Sequence, residues 1–206
     1  MASEPDTKRA IVFFDGQNLY HGAKEAFGYT YPNYDPAKLA QAICTQEGWQ
    51  LAEIRFYTGV HTPEGDDHWH RFWGKKLAAM GRKGVKVFWR ELRYQNTTVR
   101  LPDGTEGTTA VAQEKGIDVR IALDVVSCVL EGLCDVAVMV SQDQDLSEVA
   151  DEVRKISRRE HRWVKIASAY PVGPTSQNRR GINGTDWIKI DRKTYDACID
   201  PRDYRS

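Results

Sequence analysis

Short apolar runs alternate along the chain with longer segments whose apolar residues recur at helical spacing. The short runs are rich in Val, Ile, Phe and Trp, and several are followed by Gly, Asp or Pro, which is typical of buried strands. The pattern predicts strands at residues 10–14, 51–58, 85–89, 135–140, 163–169 and 187–190. Between them it predicts helices at residues 18–27, 36–47, 68–82, 117–130 and 146–157. This alternation indicates an α/β fold with a mostly parallel sheet and helices on both faces.

Residues 93–114 interrupt the alternation. They are polar, and they contain the dipeptide Asp103-Gly104, which favours a tight turn. We therefore predict a hairpin or loop around that turn.

Aspartates stand where the predicted elements meet one edge of the sheet. Asp15 ends the first strand, Asp143 and Asp145 follow the fourth, and Asp118 opens the helix between them. The carboxyl ends of parallel strands share one edge, where ligand sites form. Several carboxylates that converge there would repel one another without a cation. Because hard cations take oxygen ligands, the pattern predicts a Mg²⁺ or Mn²⁺ site.

Three polar residues close in sequence to these aspartates each have two interpretations. Asn18 either orients water or phosphate, or caps the first helix, while Ser141 contributes to orientation or substrate binding. Asp124 lies in an apolar helix, so it is either an acid on the metal side of the site or a hydrogen-bonded core residue. One of the acids at 143 and 145 is also expected to cap the next helix.

Composition limits the class of protein. The chain has 206 residues, enough for one domain with a substantial core, and no stretch approaches 18 apolar residues. Its beginning does not have the pattern of a signal peptide, and the four cysteines are widely spaced. We therefore expect reduced thiols, a cytoplasmic location and no membrane partner.

The formal net charge is zero, but basic residues are clustered. Eight Lys or Arg residues fall between positions 71 and 93, and six fall between 154 and 165. A basic surface beside an acidic pocket suits a phosphodiester and its metal, although both stretches also fit ordinary solvated helix faces. The six tryptophans fit packing roles, and exposed ones are able to stack on bases.

Three segments together resemble the NYN domains of the PIN-like nuclease superfamily, in the LabA-like bacterial group. They are residues 13–19, residues 114–119 continued by 122–124, and residues 140–146. The resemblance covers residues 9–190, with 93–114 as an inserted hairpin or loop and 191–206 as a C-terminal extension. It departs from the family pattern at Gln142, where the family usually has Gly.

The resemblance implies a PIN-like three-layer α/β/α sandwich and a metal-dependent ribonuclease. It implies Mg²⁺ or Mn²⁺ as cofactor, held by Asp15, Asp118, Asp143, Asp145 and Asp124, with Asn18 positioning phosphate or water. Single-stranded RNA is the favoured partner, and a homodimer is left open. The side chains expected to hold RNA are Lys75, Lys76, Arg158, Arg159, Arg179, Arg180 and Ser141.

Two other functions remain open from the sequence. A phosphatase of the haloacid-dehalogenase type also begins with an Asp after a strand, but it needs a second Asp where this chain has Gln17. A non-catalytic RNA- or protein-binding module with the same fold is the other alternative.

Overall fold

A computed structural model describes residues 3–100 and 105–205. The strands are β1 (Arg9–Asp15), β2 (Gln50–Val60), β3 (Lys86–Glu91), β4 (Arg93–Arg100), β5 (Glu106–Gln113), β6 (Val136–Val140), β7 (Lys165–Pro171) and β8 (Asp186–Ile190). The helices are α1 (Gly16–Phe27), α2 (Pro36–Glu47), α3 (Pro63–Arg82), α4 (Ile117–Leu130), α5 (Ser147–Arg159) and α6 (Arg192–Ala197), with a 3₁₀ turn at Gln144–Leu146.

Six strands form one parallel sheet in the order β3-β2-β1-β6-β7-β8. The chain builds outward from β1 in one direction and then outward from β6 in the other. The order therefore reverses between β1 and β6, and ligand sites of open α/β sheets lie in the crevice at such a reversal. The predicted mostly parallel α/β fold is confirmed.

The sheet is packed on both faces because side chains of β1 alternate between them. Val12 and Phe14 join the core cluster under α1, α2, α3 and α6, whereas Ile11 and Phe13 join the cluster under α4 and α5. All four are essentially inaccessible. Two cores around one sheet give the predicted three-layer arrangement.

Local signals explain most element boundaries. Asp35 caps α2 by accepting from the backbone N–H groups of Ala37 and Lys38, and Pro36 occupies the first turn. The helix predicted from residue 68 instead begins at Pro63 and breaks at Asp66, whose φ of −162° is extended. Asp66 then accepts from the Trp69 N–H at 3.1 Å, so it caps the second part of α3.

The insertion at 93–114 is a two-stranded antiparallel hairpin, β4 and β5, and most of its side chains are exposed. The predicted turn at Asp103-Gly104 lies outside the described residues. Buried Leu92 precedes the hairpin and Glu114 follows it, and both contact the carboxyl end of β2 near Gly59. The hairpin therefore leaves the domain at the edge where the aspartates were predicted.

Residues after Ile190 pack onto the main core. Tyr195 of α6 is fully buried and Tyr204 nearly so, and both join the cluster on the α1–α2–α3 face. In the part of the chain that the structure describes, no helix is long and apolar enough to cross a membrane.

Candidate functional site

Asp15 occupies the reversal point of the sheet. It is the last residue of β1 and the N-cap of α1, and its Oδ1 accepts from the Asn18 N–H at 3.0 Å. The sharp strand-to-helix turn needs glycine next, because a Cβ on Gly16 would lie 2.6 Å from the Phe56 ring and 2.9 Å from the Tyr57 carbonyl. This packing holds the Asp15 carboxylate at the crevice, where only 4% of the residue is exposed.

The end of β6 is joined to Asp15 by hydrogen bonds. Ser141 is buried, donates from Oγ to Asp15 Oδ2 at 3.0 Å, and accepts from the Asp143 N–H at 3.1 Å. Asn18 Oδ1 accepts from the Gln142 N–H at 2.9 Å, which fastens α1 to the same segment. The hydroxyl of Ser141 is thus committed inside the protein. Its assignment as a substrate-binding residue was wrong, because its role in the structure is to position Asp15 and Asp143.

Asp143 and Asp145 follow this link. Asp143 caps the 3₁₀ turn that leads into α5 by accepting from the Asp145 N–H at 3.0 Å, whereas α5 itself has no side-chain cap. The Asp145 side chain is exposed at the mouth of the crevice. Asp118 lies in the first turn of α4 on the other side. The repulsion of Asp143 and Asp145 adds to partial burial and raises the pKa of Asp118.

The acids act on one another across the crevice. Burial raises the pKa of Asp15 to about 6, with the charges of Asp118 and Asp143 adding to it, although hydrogen bonds from Asn18 and Ser141 oppose the rise. Among the described residues, no Lys or Arg contributes to the pKa shifts of Asp15 or Asp118. The crevice is therefore an uncompensated acidic site.

Glu114 is a fifth acid that the sequence reasoning missed as a site residue. It accepts from the Gly59 N–H beside the end of β2. Burial raises the pKa of Glu114 to about 8, and the charges of Asp15 and Asp118 contribute. The available signal was its position four residues before Asp118, directly after the hairpin. Its proximity to Gly59 depends on how the hairpin returns the chain, which no local pattern shows.

The donor set fits a hydrated hard cation better than a closed metal cage. Within the described residues, no three or more His, Cys, Asp or Glu side chains form a group that could hold a metal ion. Mg²⁺, however, usually keeps several waters and takes only one or two carboxylates together with substrate phosphates. Carboxylates that raise each other's pKa without touching provide that environment. The residues that would hold such an ion are Asp15, Asp118 and Asp143, with Asp145 and Glu114 at its margin.

Two glutamines fasten a loop to the edge of the crevice. Gln142 donates from Nε2 to the Arg180 carbonyl at 2.9 Å, and Gln144 donates from Nε2 to the Gly181 carbonyl at 3.1 Å. The Arg180 side chain is exposed on that loop. The residue that replaces the usual family Gly thus has a structural role, which is to hold this loop beside the acids.

Arg179 of the same loop is exposed, and its expected contact with RNA stays a prediction. Its guanidinium donates to the carbonyls of Ser176 and Gly173, both at 3.2 Å, and of Pro174 at 3.4 Å. The side chain therefore stabilises the loop from within.

Asp124 was also wrongly placed among the metal ligands. It lies six residues after Asp118, which is about 9 Å along α4. Its carboxylate accepts from the Tyr57 hydroxyl at 2.7 Å and forms ion pairs with Arg120 at 3.0 Å and Arg55 at 3.7 Å. Because its oxygens already have cationic and hydroxyl partners, Asp124 is the hydrogen-bonded structural residue of the two interpretations.

Lys76 was wrongly expected to bind RNA, because it is buried. Its Nζ donates to the Tyr34 carbonyl at 2.8 Å and lies over the rings of Tyr34 and Tyr204. Burial lowers the pKa of Lys76 to about 8, although Asp200 and Asp35 partly oppose this. The signal was present in the sequence, since Lys76 follows Trp73 by three residues and therefore shares the apolar face of α3.

The other basic residues divide between the two edges of the sheet. Arg158 and Arg159 are exposed at the end of α5, about 18 Å along the helix from its start beside the crevice. Their expected contact with RNA stays a prediction, and any such contact would lie far from the acids. Lys75 is exposed on α3. Arg90 was not singled out, yet its guanidinium lies against Gly116, the residue before α4, because a Cβ there would be 2.5 Å from Arg90 Nη1.

Comparisons with known proteins agree with this architecture. A protein of unknown function from Vibrio parahaemolyticus has a similar structure, with a TM-score of 0.55 and 18% identity, covering 92% of this chain and 98% of that one. Similarity to MurG from Acinetobacter baumannii is weaker, with a TM-score of 0.33 and 8% identity over 89% of this chain and 45% of that one, and carries no weight. No curated protein matches the sequence.

A family model matches most of the chain. The model is that of the NYN domain, and it matches residues 9–180, which include β1, the acids of the crevice and the loop beside it. This match confirms the resemblance of the three motif segments and the PIN-like fold. The chain therefore belongs to the NYN domain family, within the PIN-like nuclease superfamily.

Proposed function

We propose that this protein is a Mg²⁺- or Mn²⁺-dependent ribonuclease that hydrolyses phosphodiester bonds in single-stranded RNA. The observation that carries the proposal is the uncompensated set of acids at the reversal point of the sheet. Holding several carboxylates together without a base is unfavourable, and such arrangements cluster at functional sites. A divalent cation would relieve the repulsion and attract a phosphate.

Each residue of the crevice has a role in this proposal. Asp15, Asp118 and Asp143 hold the metal, and Asp145 and Glu114 add negative charge around it. When bound, the metal would lower the pKa of a water and stabilise charge on the scissile phosphate. Asn18 and Ser141 fix the carboxylates through the hydrogen bonds described above. Arg90 and Arg180 lie on either side and hold the flanking phosphates.

The two alternative functions differ in what they require of the crevice. A haloacid-dehalogenase phosphatase requires a second acid at position 17, which is occupied by Gln17. A non-catalytic binding module requires no metal chemistry, and the absence of a close set of three ligands among the described residues favours it over the phosphatase. The cytoplasmic location and the homodimer stay predictions.

Cleavage of a labelled single-stranded RNA in a Mn²⁺ titration tests the proposal. The wild-type protein should cleave only with metal, and Asp118→Asn should lose cleavage while it melts like the wild type. Asp118→Asn removes one charge and changes little else, because an amide oxygen can still accept from the backbone N–H of residue 118, as the carboxylate does. Metal-independent cleavage, or wild-type cleavage by Asp118→Asn after contaminating nucleases are excluded, would contradict the proposal.

A further inference from the structure

A second cavity opens beside the acids. It has a volume of about 240 Å³ and is lined on one side by Gly16 and Gln17, which directly follow Asp15. Gly59 lines it on the other side, and the Gly59 N–H is the group that Glu114 binds. The cavity and the acidic crevice therefore share a wall, formed by the residues that follow Asp15 and by Gly59.

The lining of the cavity is aromatic and uncharged. Its larger residues are Tyr20, His21, His61, Trp69 and Trp73, and none of the residues that line it is Lys, Arg, Asp or Glu. Burial lowers the pKa of His21, and the charge of Lys24 lowers it further, so both favour the uncharged ring. A cavity without cations does not select a phosphate, and one without carboxylates does not select a metal. Its chemistry suits a neutral planar ring with polar edges.

The aromatic walls are held rigidly before any ligand binds. Trp73 is buried against Phe56 and Phe72, with ring centroids 6.0 and 5.4 Å apart. Trp69 packs on Phe72 at 5.0 Å, but it is only partly buried, so part of its ring is open to the cavity. Preformed aromatic surfaces cost little conformational entropy when a ligand stacks on them.

The hairpin fixes the remaining wall. His61 Nδ1 lies 2.8 Å from the Tyr94 hydroxyl of β4, and the His61 carbonyl contacts His70 Nδ1 at 2.8 Å. The His61 ring is therefore oriented by Tyr94, and the His61 backbone is held by His70. Gln17 adds an amide near Gly59, since a Cβ at Gly59 would lie 3.3 Å from Gln17 Nε2. An amide and an imidazole supply both donors and acceptors for the edge of a base.

We propose that this cavity binds one unpaired nucleobase of the RNA, stacked on Trp69, while the adjoining phosphate lies in the acidic crevice. The inference rests on the proposed function for the identity of the polymer. It adds a reason for single-strand preference, because a base stacked in a pocket cannot be paired in a duplex. It also adds a specificity site that is separate from the metal-holding acids.

Base-dependent binding tests this inference without any cleavage. Fluorescence anisotropy in Ca²⁺ would compare an RNA of about eight nucleotides with the same backbone carrying abasic riboses. The wild type should bind the base-containing RNA roughly tenfold more tightly, since stacking on one aromatic side chain accounts for that scale. Trp69→Leu should lose most of this difference while its affinity for the abasic RNA stays unchanged.

Two further variants control for folding and for tryptophan loss in general. Trp69→Phe keeps an aromatic surface and should retain most of the base preference. Trp163 is also partly buried but precedes β7 at the opposite edge of the sheet, so Trp163→Leu should bind both RNAs like the wild type. Thermal melts would show that each variant folds.

The outcomes separate this inference from the proposed nuclease function. Three results would overturn the base pocket. Trp69→Leu could weaken the binding of both RNAs equally, or weaken the binding of neither. The wild type could also bind the base-containing and the abasic RNA with the same affinity. Loss of base preference in Trp69→Leu supports the pocket even if no Mn²⁺-dependent cleavage is found, and in that case only the nuclease function fails. If the wild type cleaves RNA with Mn²⁺ but shows no base preference, the nuclease function stands and only the base pocket fails.

Discussion

Acidic residues have opposite surroundings at the two ends of the parallel strands. We call the side where the strands begin the amino edge of the sheet, and the side where they end the carboxyl edge. At the amino edge, Asp135 accepts from Arg9, with Arg9 Nε 3.1 Å from Asp135 Oδ2, and Glu53 pairs with Lys86 at 2.6 Å. Although partial burial acts against them, hydrogen bonds from these cations lower the pKa of both acids. Both of these acids have a base, and their charge is neutralised within the fold.

At the carboxyl edge the same residue types have no base. The pKa values of Asp15, Glu114 and Asp118 are all raised, by burial first and by the charges of neighbouring acids second. The fold could have placed an arginine there, as it does for Asp124. Because the difference is confined to the reversal point of the sheet, we interpret it as the cost of a site that binds a cation and not as a general property of the protein.

Exchanging one carboxylate for its amide at each edge should produce the largest contrast. Asp143→Asn should reduce cleavage more than about 100-fold, because stabilisation by a metal is worth several kcal/mol. Its Oδ1 can still cap the 3₁₀ turn, so the fold should remain. Asp135→Asn should cleave like the wild type but lose about 1 kcal/mol of stability with its ion pair.

Steady-state cleavage and urea denaturation of both variants make the measurement. If Asp135→Asn lost as much activity as Asp143→Asn, the two edges would not differ in function and the site would be misassigned.

Stabilisation of the folded protein by metal should depend on the acids at the carboxyl edge and not on those at the amino edge. A ligand that binds the native state alone adds RT ln(1 + [L]/Kd), which is about 2.7 kcal/mol at a hundredfold excess over Kd. Melting with millimolar Mn²⁺ against EDTA should therefore raise the Tm of the wild type and of Asp135→Asn. An Asp15→Asn/Asp143→Asn double variant should show no such shift, and an equal shift in it would place the metal elsewhere.

The two edges should also respond oppositely to pH. The folded pKa of Glu114 is about 8 against an ordinary 4.5, so the folded protein holds this proton more tightly than the unfolded chain. Stability in EDTA should then fall as pH rises from 4.5 to 8, and metal-free Glu114→Gln should escape that loss. At pH 8 the variant should be more stable by on the order of 2 kcal/mol, after allowance for solvent screening.

The free energy of unfolding, measured by denaturation at several pH values, checks this prediction. Asp135 serves as a control because its pH dependence has the opposite sign. Its folded pKa is lowered, so its contribution is present above its ordinary value and is lost as pH falls. A stability difference between Glu114→Gln and wild type that does not change with pH would rule out titration of Glu114 as the cause.

Most of the fold was predictable because its signals are local. Five apolar residues before Asp15 and five before Ser141 mark buried strands, and the Asp35-Pro36 cap marks a helix start. The early start of α3 was missed because Thr62 caps the helix through the Gly65 N–H, and the break at Asp66 hides that first turn. The hairpin was predicted, but where it returns the chain was not.

The site was predictable only where residues follow strands directly. Asp15 and Asp143 are such residues, and topology brings them together. Glu114 reaches the crevice through a non-local hydrogen bond with Gly59, and Lys76 is removed from the surface by Tyr204, 128 positions further along the chain. Clusters of basic residues in the sequence also do not show towards which end of the strands a helix points. α5 runs back from the crevice, so its basic end lies at the other edge.

The smallest expected effect concerns the cations nearest the crevice. For a single strand, each phosphate that the protein no longer neutralises should reduce the slope of log K against log salt by about 0.7. Arg180→Gln should therefore flatten the salt dependence of RNA binding in Ca²⁺ by that amount, because the side chain is exposed on the loop that Gln142 holds at the crevice. An Arg158→Gln/Arg159→Gln variant removes two charges from the far end of α5 and should leave the slope unchanged. If the double variant flattened the slope and Arg180→Gln did not, RNA would cross the amino edge, and the acids at the other edge would not be its site of cleavage.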